Sequence, residues 1–471
     1  MDKIQIGLIG LGTIGTGVAK TLLENGALLE DRLGFALNLK GIADIDITKD
    51  HGVKIPKGML TTDAGALIND REIDIIIELI GGTEPAKTFI LDALKKGKHV
   101  VTANKALLAS HGKQLFDAAQ TYGKDLYYEA AVGGGIPIIK TLREALVANN
   151  YTFIYGILNG TCNYILTEMG EKGSSFSEAL SQAKDLGYAE ADPTLDIEGI
   201  DAAHKLALVT SLAYGVPPDL KSVYVEGITN LDQLDVTFAR ELGYKVKLLG
   251  LTIDRGDRVE SRVHPTLIPF NYLLSKVDGV FNAFYVRGDI VDSTLFYGRG
   301  AGMMPTASAV VSDLADIGRN ILAGIAGRIP HLGYRKGSSV PKKYLSIDDV
   351  VTNYYIRINA LDKPGVLAKV AGILGEKEIS IVSVIQKAPE NGAFVPVVML
   401  THEARESNVR NAVQAIAKLT DVSGTPVVIR VEDKNLNVGF ATASETAANT
   451  SCAPKCIARP EAVRIDMTNP T

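Results

Sequence analysis

Acidic and basic side chains are concentrated in one stretch of the 471-residue chain, GYAEADPTLDIEGIDAAHK, which runs from Gly187 to Lys205. It holds five carboxylates and ends in His204 and Lys205. A helix that begins near Gly199 would place Asp201 and Lys205 four residues apart on one face. That spacing is typical of an ordinary exposed ion pair. The alternative is a site that holds a polar substrate and moves a proton with the lysine ammonium.

The residues before that helix favour the second interpretation. Tyr188, Glu190, Asp192 and Pro193 form a turn-like segment that would set acceptors beside an ammonium able to donate a proton. Acceptors of this kind suit a substrate with an amino group.

A glycine motif near the start of the chain predicts dinucleotide binding. The motif GLGTIG, which comprises Gly10, Leu11, Gly12, Thr13, Ile14 and Gly15, lies between an apolar strand pattern and a helix pattern. The first glycine permits a tight turn, the second lets the backbone approach a pyrophosphate, and the third permits close packing of helix on strand. The N–H groups at the helix N-terminus would bind the anion. A tight turn without a ligand is the alternative.

The choice between NAD and NADP stays open in the sequence. Asp44, after the second predicted strand, could accept hydrogen bonds from a ribose diol, which favours NAD. Lys49, Lys54 and Lys57 follow and could meet the 2′-phosphate of NADP.

Two further candidates follow strand ends of the same predicted sheet. Thr83 ends the strand pattern IIIELIGG, and Lys105 follows HVVTAN. Ligands of open α/β sheets bind at the carboxyl ends of the strands, so both residues could border the cofactor crevice. A plain loop at Thr83 and a helix-capping or solvated lysine at Lys105 are the alternatives.

The order of the predicted elements indicates an α/β protein with three folded parts. Strands that alternate with helices predict a Rossmann-type doubly wound parallel sheet, followed by a mixed α+β substrate domain. A βαββαβ order near the end predicts a ferredoxin-like domain. The predicted boundaries are 1–130 for the dinucleotide domain, with 305–330 returning to it, 131–304 for the substrate and dimerisation domain, 331–350 for a linker, 351–431 for the ferredoxin-like domain and 432–471 for a loose tail.

Composition points to small-molecule ligands. A net charge of −5, with 46% apolar and 22% charged residues, gives no reason to expect nucleic acid or a membrane as a partner. The chain lacks an apolar run near the ~20 residues of a membrane span, and it starts without a signal-peptide pattern, so we expect a cytoplasmic protein. The three cysteines, Cys162, Cys452 and Cys456, fit a reducing compartment. We interpret the Cys452/Cys456 pair in CAPKC as incidental rather than metal-binding.

Several motifs together resemble homoserine dehydrogenase. They are GLGTIG, HVVTANKALLA, YYEAAVGGGIPII, LNGTCNYIL, GYAEADPTLDIEGIDAAHKLALV and GRGAGMMPTASAVVSD, in that order, and the final domain with DKPGVLAKVAGIL resembles an ACT domain. The resemblance covers about residues 3 to 431. It implies reversible NAD(P)-linked reduction of L-aspartate 4-semialdehyde to L-homoserine, the branch step toward threonine, methionine and isoleucine.

The resemblance also implies roles for individual residues. Lys205 matches the proton donor, Lys105 a second active-site lysine that also meets the cofactor, and Glu190 and Asp201 the substrate-binding acids. Further matched cofactor positions are Thr13, Ile14, Gly187 and Gly302. A monovalent-cation site, usually sodium, matches the carboxylate of Glu129 and the carbonyls of Val132, Gly134 and Ile136.

For the ACT-like domain the resemblance implies amino-acid sensing, most naturally of threonine. The expected ligand-binding loop follows the first strand and includes Asp362, Pro364, Gly365, Val366 and Leu367. A purely structural or dimerising domain is the alternative. A homodimer or homotetramer is expected from the resemblance alone.

Two other functions compete with a reductase. An acylating semialdehyde dehydrogenase would need a thiolate nucleophile, for which Cys162 is the candidate. A non-catalytic nucleotide and amino-acid sensor would bind the cofactor without turnover.

Overall fold

A computed structural model describes residues 2–335, 342–386 and 394–433. All the helices and strands that it describes lie in one folded unit, Met1–Glu432. The Cys452/Cys456 pair and nearly all of the predicted tail lie outside the described residues. Within the three described ranges, we find no helix long and apolar enough to cross a membrane.

The N-terminal part forms a six-stranded parallel sheet in the order β3-β2-β1-β4-β5-β6. Its strands are β1 (Lys3–Ile9), β2 (Ala36–Ala43), β3 (Leu60–Thr61), β4 (Ile75–Glu78), β5 (His99–Thr102) and β6 (Leu126–Tyr127). Its helices are α1 (Thr13–Glu24), α2 (Gly26–Leu33), α3 (Ala64–Asn69), α4 (Ala86–Lys95) and α5 (Lys105–Thr121). Strands β4 and β5 are entirely buried, as expected for parallel strands covered by helices on both faces. The strand order reverses between β1 and β4, which is where such sheets bind ligands.

The middle of the chain builds a second, mainly antiparallel sheet in the order β12-β11-β7-β9-β10. Its strands, with β8 paired in parallel to β10, are β7 (Tyr151–Ile157), β8 (Tyr224–Val225), β9 (Tyr244–Asp254), β10 (Arg258–Pro269), β11 (Phe281–Gly288) and β12 (Asp292–Arg299). Its helices are α6 (Ile138–Lys140), α7 (Gly160–Lys172), α8 (Phe176–Asp185), α9 (Thr194–Ile197), α10 (Ile200–Tyr214) and α11 (Gln233–Glu241).

Helix α10 carries Asp201 and Lys205 and is buried along most of its length. It begins after Gly199 (φ 79°) and ends at Gly215 (φ 68°), two left-handed conformations that glycine adopts without steric cost. The helix packs against β9 and β10, so its position relative to the second sheet is set by a large apolar contact.

The long helix α12 (Met303–Leu322) packs against α1 of the first sheet region. Contact between the two helices is close at Gly17, where a Cβ atom would lie 2.8 Å from Met303 Cγ. The apolar positions Ala307, Val310, Leu314 and Ile317 recur at helical spacing and belong to the same core as β1. The glycine-rich segment before α12 is therefore held against the dinucleotide-type sheet.

The C-terminal part forms a ferredoxin-like sheet in the order β18-β14-β16-β15. Its elements are β14 (Val351–Leu361), α13 (Val366–Glu376), β15 (Ile381–Gln386), β16 (Phe394–Thr401), the short β17 (Ala404–Arg405), α14 (Glu406–Ile416) and β18 (Val422–Val431), preceded by β13 (Lys343–Tyr344) on β10. The predicted fold class is confirmed for all three parts. Strand β18 also pairs in parallel with β10, through Thr266–Arg430 and Leu267–Val431, so the second and third sheets are continuous.

Candidate active site

A cleft of about 510 Å³ lies where the end of the first sheet meets α7, α10, β11 and the start of α12. Its wall includes many of the predicted site residues. These are Ile14, Lys105, Gly134, Gly187, Glu190, Asp201, Lys205 and Gly302. Residues separated by almost 290 positions in sequence, Ile14 and Gly302, therefore border one space.

The Lys205 ammonium is buried at the wall of the cleft, with 7% of the residue exposed. Its Nζ donates to the Leu158 carbonyl at 2.6 Å and to Asp201 Oδ2 at 2.7 Å. An ammonium group has three N–H donors, and these two bonds use two of them. Among the described residues no acceptor is recorded for the third, so it can serve a ligand in the cleft.

Asp201 links the two candidate lysines. Besides Lys205, its carboxylate meets Lys105 Nζ at 3.3 Å and accepts a bond from Asn159 Nδ2 at 2.9 Å. Burial alone would raise the pKa of Asp201, but the two ammonium groups hold it well below its usual range. The side chains of Asp201 and Lys205 are only 12% and 9% exposed, so the exposed ion pair considered from the sequence is wrong.

Lys105 is placed by the start of α5, directly after β5. Asn104 caps this helix by accepting a bond from Leu107 N at 3.1 Å, and its Nδ2 donates to Gly82 O at 2.7 Å. The capping bonds fix the turn from which the Lys105 side chain reaches Asp201. Thr83, beside Gly82, is exposed and starts the turn into α4, and the residues that line the cleft do not include it.

The acidic residues of the Gly187–Lys205 stretch differ in environment. Glu190 is exposed in the cleft wall and has no recorded bond to the part of the chain that the structure describes. Burial raises the pKa of Asp196, whose Oδ1 accepts from Asn159 Nδ2 at 2.7 Å. Asp192 is exposed and bonds within its own turn, to Thr194 Oγ1 at 2.6 Å. Glu190 is therefore an acid that a ligand can reach without displacing such a bond.

The glycine loop has the geometry that a dinucleotide pyrophosphate requires. Gly10 has φ 100°, and a Cβ at Gly15 would lie 2.0 Å from Gly10 O, so side chains are excluded at both positions. A Cβ at Gly12 would meet nothing within 4 Å, and Gly12 provides no side-chain cap for α1. The space above Gly12 and the first-turn N–H groups of α1 therefore fit an anionic cofactor.

The segment after β2 leaves the cofactor preference undecided. Asp44 accepts a backbone bond from Leu11 N, which places its carboxylate beside the glycine loop. Lys49, Lys54 and Lys57 are all exposed in the following segment.

Two asparagines in the cleft wall were not identified from the sequence. Asn159 caps α7 by accepting from Cys162 N at 2.8 Å, while its Nδ2 holds both Asp196 and Asp201. Asn282 on β11 donates to the same Leu158 carbonyl as Lys205, at 2.9 Å. The motif LNGT already contains Asn159 as a helix cap, whereas Asn282 reaches the site only because β11 pairs with β7.

Comparison with known proteins supports the resemblance to homoserine dehydrogenase that the sequence motifs indicate. Residues 10–129 match the family model for the NAD binding domain of homoserine dehydrogenase, 137–315 the homoserine dehydrogenase model, and 354–421 the ACT domain model. A homoserine dehydrogenase of Neisseria gonorrhoeae is 45% identical over 432 residues, which are 92% of this chain and 99% of that protein. The chain belongs to the homoserine dehydrogenase family.

Solved structures of homoserine dehydrogenases share the fold. The enzyme from Thiobacillus denitrificans is 46% identical, with a TM-score of 0.87 over 92% of this chain and 99% of that one. A hyperthermophilic archaeal homoserine dehydrogenase in complex with NADPH is 26% identical, with a TM-score of 0.58 over 67% of this chain and 98% of that one. As a member of this family, the protein is an NAD(P)-dependent oxidoreductase with a C-terminal ACT domain.

Cys162 does not have the surroundings of a nucleophile. The residue is fully buried, its Sγ donates to the Asp196 carbonyl at 3.1 Å, and burial raises the pKa of the thiol well above its ordinary value. The alternative of an acylating dehydrogenase is therefore not favoured, in agreement with membership of the homoserine dehydrogenase family.

The residues matched to a cation site of homoserine dehydrogenases surround a sharp turn beside the cleft. Glu129 is buried, and its two oxygens accept from Ile139 N at 2.9 Å and Lys140 N at 2.8 Å. Burial raises the pKa of Glu129 above its usual range, and the neighbouring Asp313 carboxyl contributes to the rise. The described residues contain no group of three His, Cys, Asp or Glu side chains that could hold a metal.

The backbone carbonyls of Val132, Gly134 and Ile136 are hard oxygen donors, which are chemically suited to bind a monovalent cation. Ile136 O already accepts from Ile138 N at 2.8 Å, whereas no bond to Val132 O or Gly134 O is recorded within the described ranges. A Cβ at Gly134 would lie 2.5 Å from the Gly300 carbonyl carbon, so this turn packs directly on the segment before α12.

The predicted effector loop connects β14 to α13 of the ACT domain. Gly365 is the N-cap of α13, with φ 90°, and Asp362 Oδ1 accepts from Gln386 Nε2 at 3.0 Å. Val366 is buried in the domain core, whereas Pro364 and Leu367 are exposed. Four of these five residues are thus accessible from solvent, and Val366 has a packing role.

Proposed function

We propose that the protein interconverts L-homoserine and L-aspartate 4-semialdehyde with NAD or NADP as the hydride carrier. The observation that carries this proposal is the buried Lys205 ammonium, held by a carbonyl and by Asp201 so that one N–H is left for the cleft. A reductase needs a positioned proton donor of this kind at the reacting oxygen. The family assignment supplies the substrate class.

The chemistry divides between the cofactor and the protein. When bound, the nicotinamide supplies a hydride to the aldehyde carbon or accepts one from the alcohol. The third N–H of Lys205 stabilises the charge that develops on the substrate oxygen and delivers the proton, and in the reverse direction Lys205 accepts it. Lys105, at 3.3 Å from Asp201 on the more exposed side, adds a second positive charge beside the reacting group.

We assign the substrate ammonium to Glu190 and Asp201. Glu190 is exposed in the cleft wall, so it can pair with a ligand without loss of a recorded internal bond. Asp201 keeps its charge because two lysines lower its pKa, and it also orients both of them. Its contribution to substrate binding is therefore smaller than its contribution to lysine placement.

The remaining assignments rest on the cofactor loop and on the family. We propose that Gly10–Gly15, Gly187 and Gly302 contact the dinucleotide; the related archaeal enzyme solved with NADPH supports NADP as a cofactor. Thr83 does not line the cleft, so it would contact the dinucleotide only where the cofactor extends beyond the cleft wall. We propose sodium at the Glu129, Val132, Gly134 and Ile136 oxygens, a cytoplasmic location, and a homodimer or homotetramer.

We also propose that the ACT domain binds threonine at the Asp362–Leu367 turn and inhibits the enzyme. A chain of contacts toward the cleft supports such regulation. Arg430 on β18 donates to Glu226 Oε2 at 2.8 Å, next to β8. Two residues further on, Ile228 N donates to Ile197 O at 2.8 Å, and a Cβ at Gly227 would lie 2.3 Å from Ile197 O. Ile197 ends α9, which precedes the helix of Lys205.

One assay tests the proposed function. The purified protein is given L-homoserine with NAD⁺ or NADP⁺, in parallel and with or without millimolar threonine, and reduced cofactor is followed by absorbance. We expect turnover with at least one cofactor and inhibition by threonine. Cofactor binding without turnover would instead support the non-catalytic sensor, and turnover with no threonine effect and no heat of threonine binding would leave the ACT domain a structural role.

A further inference from the structure

Asn282 on β11 is linked directly to the proton donor. The residue is 1% exposed, and its Nδ2 donates to the Leu158 carbonyl at 2.9 Å. The same carbonyl accepts from Lys205 Nζ at 2.6 Å. A carbonyl can only accept, so the amide nitrogen of Asn282 must face Leu158 and the amide oxygen must face the other way.

The amide oxygen of Asn282 has no partner among the described residues. Oδ1 is buried without a hydrogen bond, and Asn282 belongs to the cleft wall. A buried acceptor left unpaired is costly, and most such atoms in folded proteins are satisfied by a neighbour, a water or a ligand. Its place in the wall of the cleft points to a ligand that brings a donor.

The backbone at Gly300 approaches the Asn282 carboxamide closely, and the backbone at Gly160 lies near its oxygen. A Cβ at Gly300 would lie 2.1 Å from Asn282 Cγ and Nδ2, and a Cβ at Gly160 would lie 3.4 Å from Oδ1. The amide therefore lies between backbone segments that carry no side chain. Gly300 also precedes Gly302 at the start of α12, so Asn282 stands on the wall that we assign to the cofactor.

The chemistry of the possible donors selects among ligands. The Asn282 amide nitrogen and the Lys205 ammonium share the Leu158 carbonyl, so the carboxamide of Asn282 is close to the proton donor. Its Oδ1 faces away from Leu158 and lies beside Gly160 and Gly300, which also line the cleft. An aldehyde carries no donor there, and the hydroxyl of homoserine is the group that we assign to Lys205. The substrate ammonium is assigned to the charged carboxylates, of which Glu190 lines the cleft. The carboxamide of nicotinamide lies one ring atom away from the carbon that exchanges hydride, and its NH₂ group is a neutral donor suited to a neutral acceptor.

We propose that Asn282 positions the nicotinamide ring by accepting, through Oδ1, a hydrogen bond from the carboxamide NH₂ of the cofactor. This inference rests on the proposed function, because it assumes a nicotinamide in the cleft. It makes Asn282 a residue that couples cofactor orientation to the Lys205 proton donor through Leu158.

The test compares the natural dinucleotide with its 3-acetylpyridine analogue, in which a methyl ketone replaces the carboxamide and the N–H donor is absent. Dissociation constants are measured by calorimetric titration without substrate, with whichever of NAD⁺ or NADP⁺ the protein binds. We expect the wild-type protein to prefer the natural cofactor by about threefold to tenfold through this bond. In Asn282→Ala the preference for the natural cofactor over the analogue should shrink, because the acceptor is lost. Asn282→Asp keeps an acceptor and should retain part of this preference.

Asn163→Ala is the matched control. Asn163 is also a buried asparagine, but its Nδ2 donates to Val277 O at 3.0 Å and its Oδ1 accepts from Lys247 Nζ at 2.9 Å, outside the cleft wall. The control should lose stability and leave the cofactor preference unchanged. If Asn282→Ala does not fold, Asn282→Leu provides the same measurement, because leucine is similar in size to asparagine and has neither a donor nor an acceptor.

The outcomes separate the inference from the function on which it rests. An equal preference for the natural cofactor in wild type and Asn282→Ala would overturn the inference. It would also be overturned if Asn282→Ala raised only the Michaelis constant of homoserine, because that result would assign Oδ1 to the substrate ammonium. Absence of homoserine oxidation by the wild-type protein would instead overturn the proposed function, whatever the binding ratio.

Discussion

Replacing Lys205 with methionine should abolish most catalysis while leaving the cleft assembled. Methionine retains an unbranched apolar stem but has no N–H for the substrate oxygen. Loss of a positioned general acid costs about 10²–10⁴ in rate, and loss of one charge-stabilising donor costs about 10²–10³. Both effects come from the same ammonium and are not additive, so we expect kcat to fall by about 10³–10⁴.

The structure also limits the cost of this change to stability. After Lys205→Met, Asp201 still meets Lys105 at 3.3 Å and Asn159 at 2.9 Å, so its buried carboxylate is not left alone. Removing one member of an isolated buried ion pair costs about 3–5 kcal/mol, and the remaining partners should reduce this to about 1–2 kcal/mol. The variant should therefore fold at room temperature.

Steady-state kinetics in both directions, calorimetric cofactor binding and denaturant unfolding would be measured on Lys205→Met. Lys113→Met is the control, because Lys113 pairs with Asp117 on the exposed face of the same α5 helix that carries Lys105. We expect unchanged cofactor affinity and a large loss of kcat only at Lys205. A kcat within tenfold of wild type, with both ligands bound, would refute the assignment of the proton donor.

Three further substitutions test packing at the cleft and buried charges elsewhere in the protein. Gly300→Ala would place a Cβ 2.1 Å from Asn282 Cγ, so thermal unfolding should show a loss of about 1–3 kcal/mol, together with reduced turnover. Burial lowers the pKa of the His331 imidazole to about 4. As the pH drops, the imidazole therefore binds a proton in the unfolded chain before it does so in the folded protein. The stability of the folded protein should fall as the pH drops from about 6.5 toward 4. Denaturant unfolding at pH 7 and pH 5 should show a loss of about 2 kcal/mol from this residue, and His331→Leu should have the flatter profile. Arg430→Met would remove the bidentate partner of the buried Glu406, which would still accept from the Tyr354 hydroxyl at 2.8 Å. The loss in denaturant unfolding should therefore be about 2–3 kcal/mol, and a loss below about 1 kcal/mol would show that the pair is not stabilising.

Local sequence patterns predicted the elements that carry the chemistry. The glycine spacing of GLGTIG, the apolar strands of the first sheet and the βαββαβ order of the last domain each depend on residues close together in the chain. Short-range patterns of this kind are decided by backbone conformation and by the periodicity of buried side chains, so they can be recognised without the tertiary structure. Local patterns also indicated Lys105, Lys205, Glu190 and Asp201 as candidates, and the resemblance to homoserine dehydrogenase implied a role for each of them.

The tertiary structure decided which of these side chains act together. In the sequence, Asp201 and Lys205 have the spacing of an exposed ion pair; the structure buries both and adds Lys105 and Asn159 to the pair. The unpaired amide oxygen of Asn282 depends on the pairing of β11 with β7 and on the close approach of Gly300. The amino-acid sequence by itself determined the elements and the residue types at their ends. Long-range packing decided solvent exposure, local charge and the unpaired groups that a ligand can use, because these properties depend on neighbours that are remote in the chain.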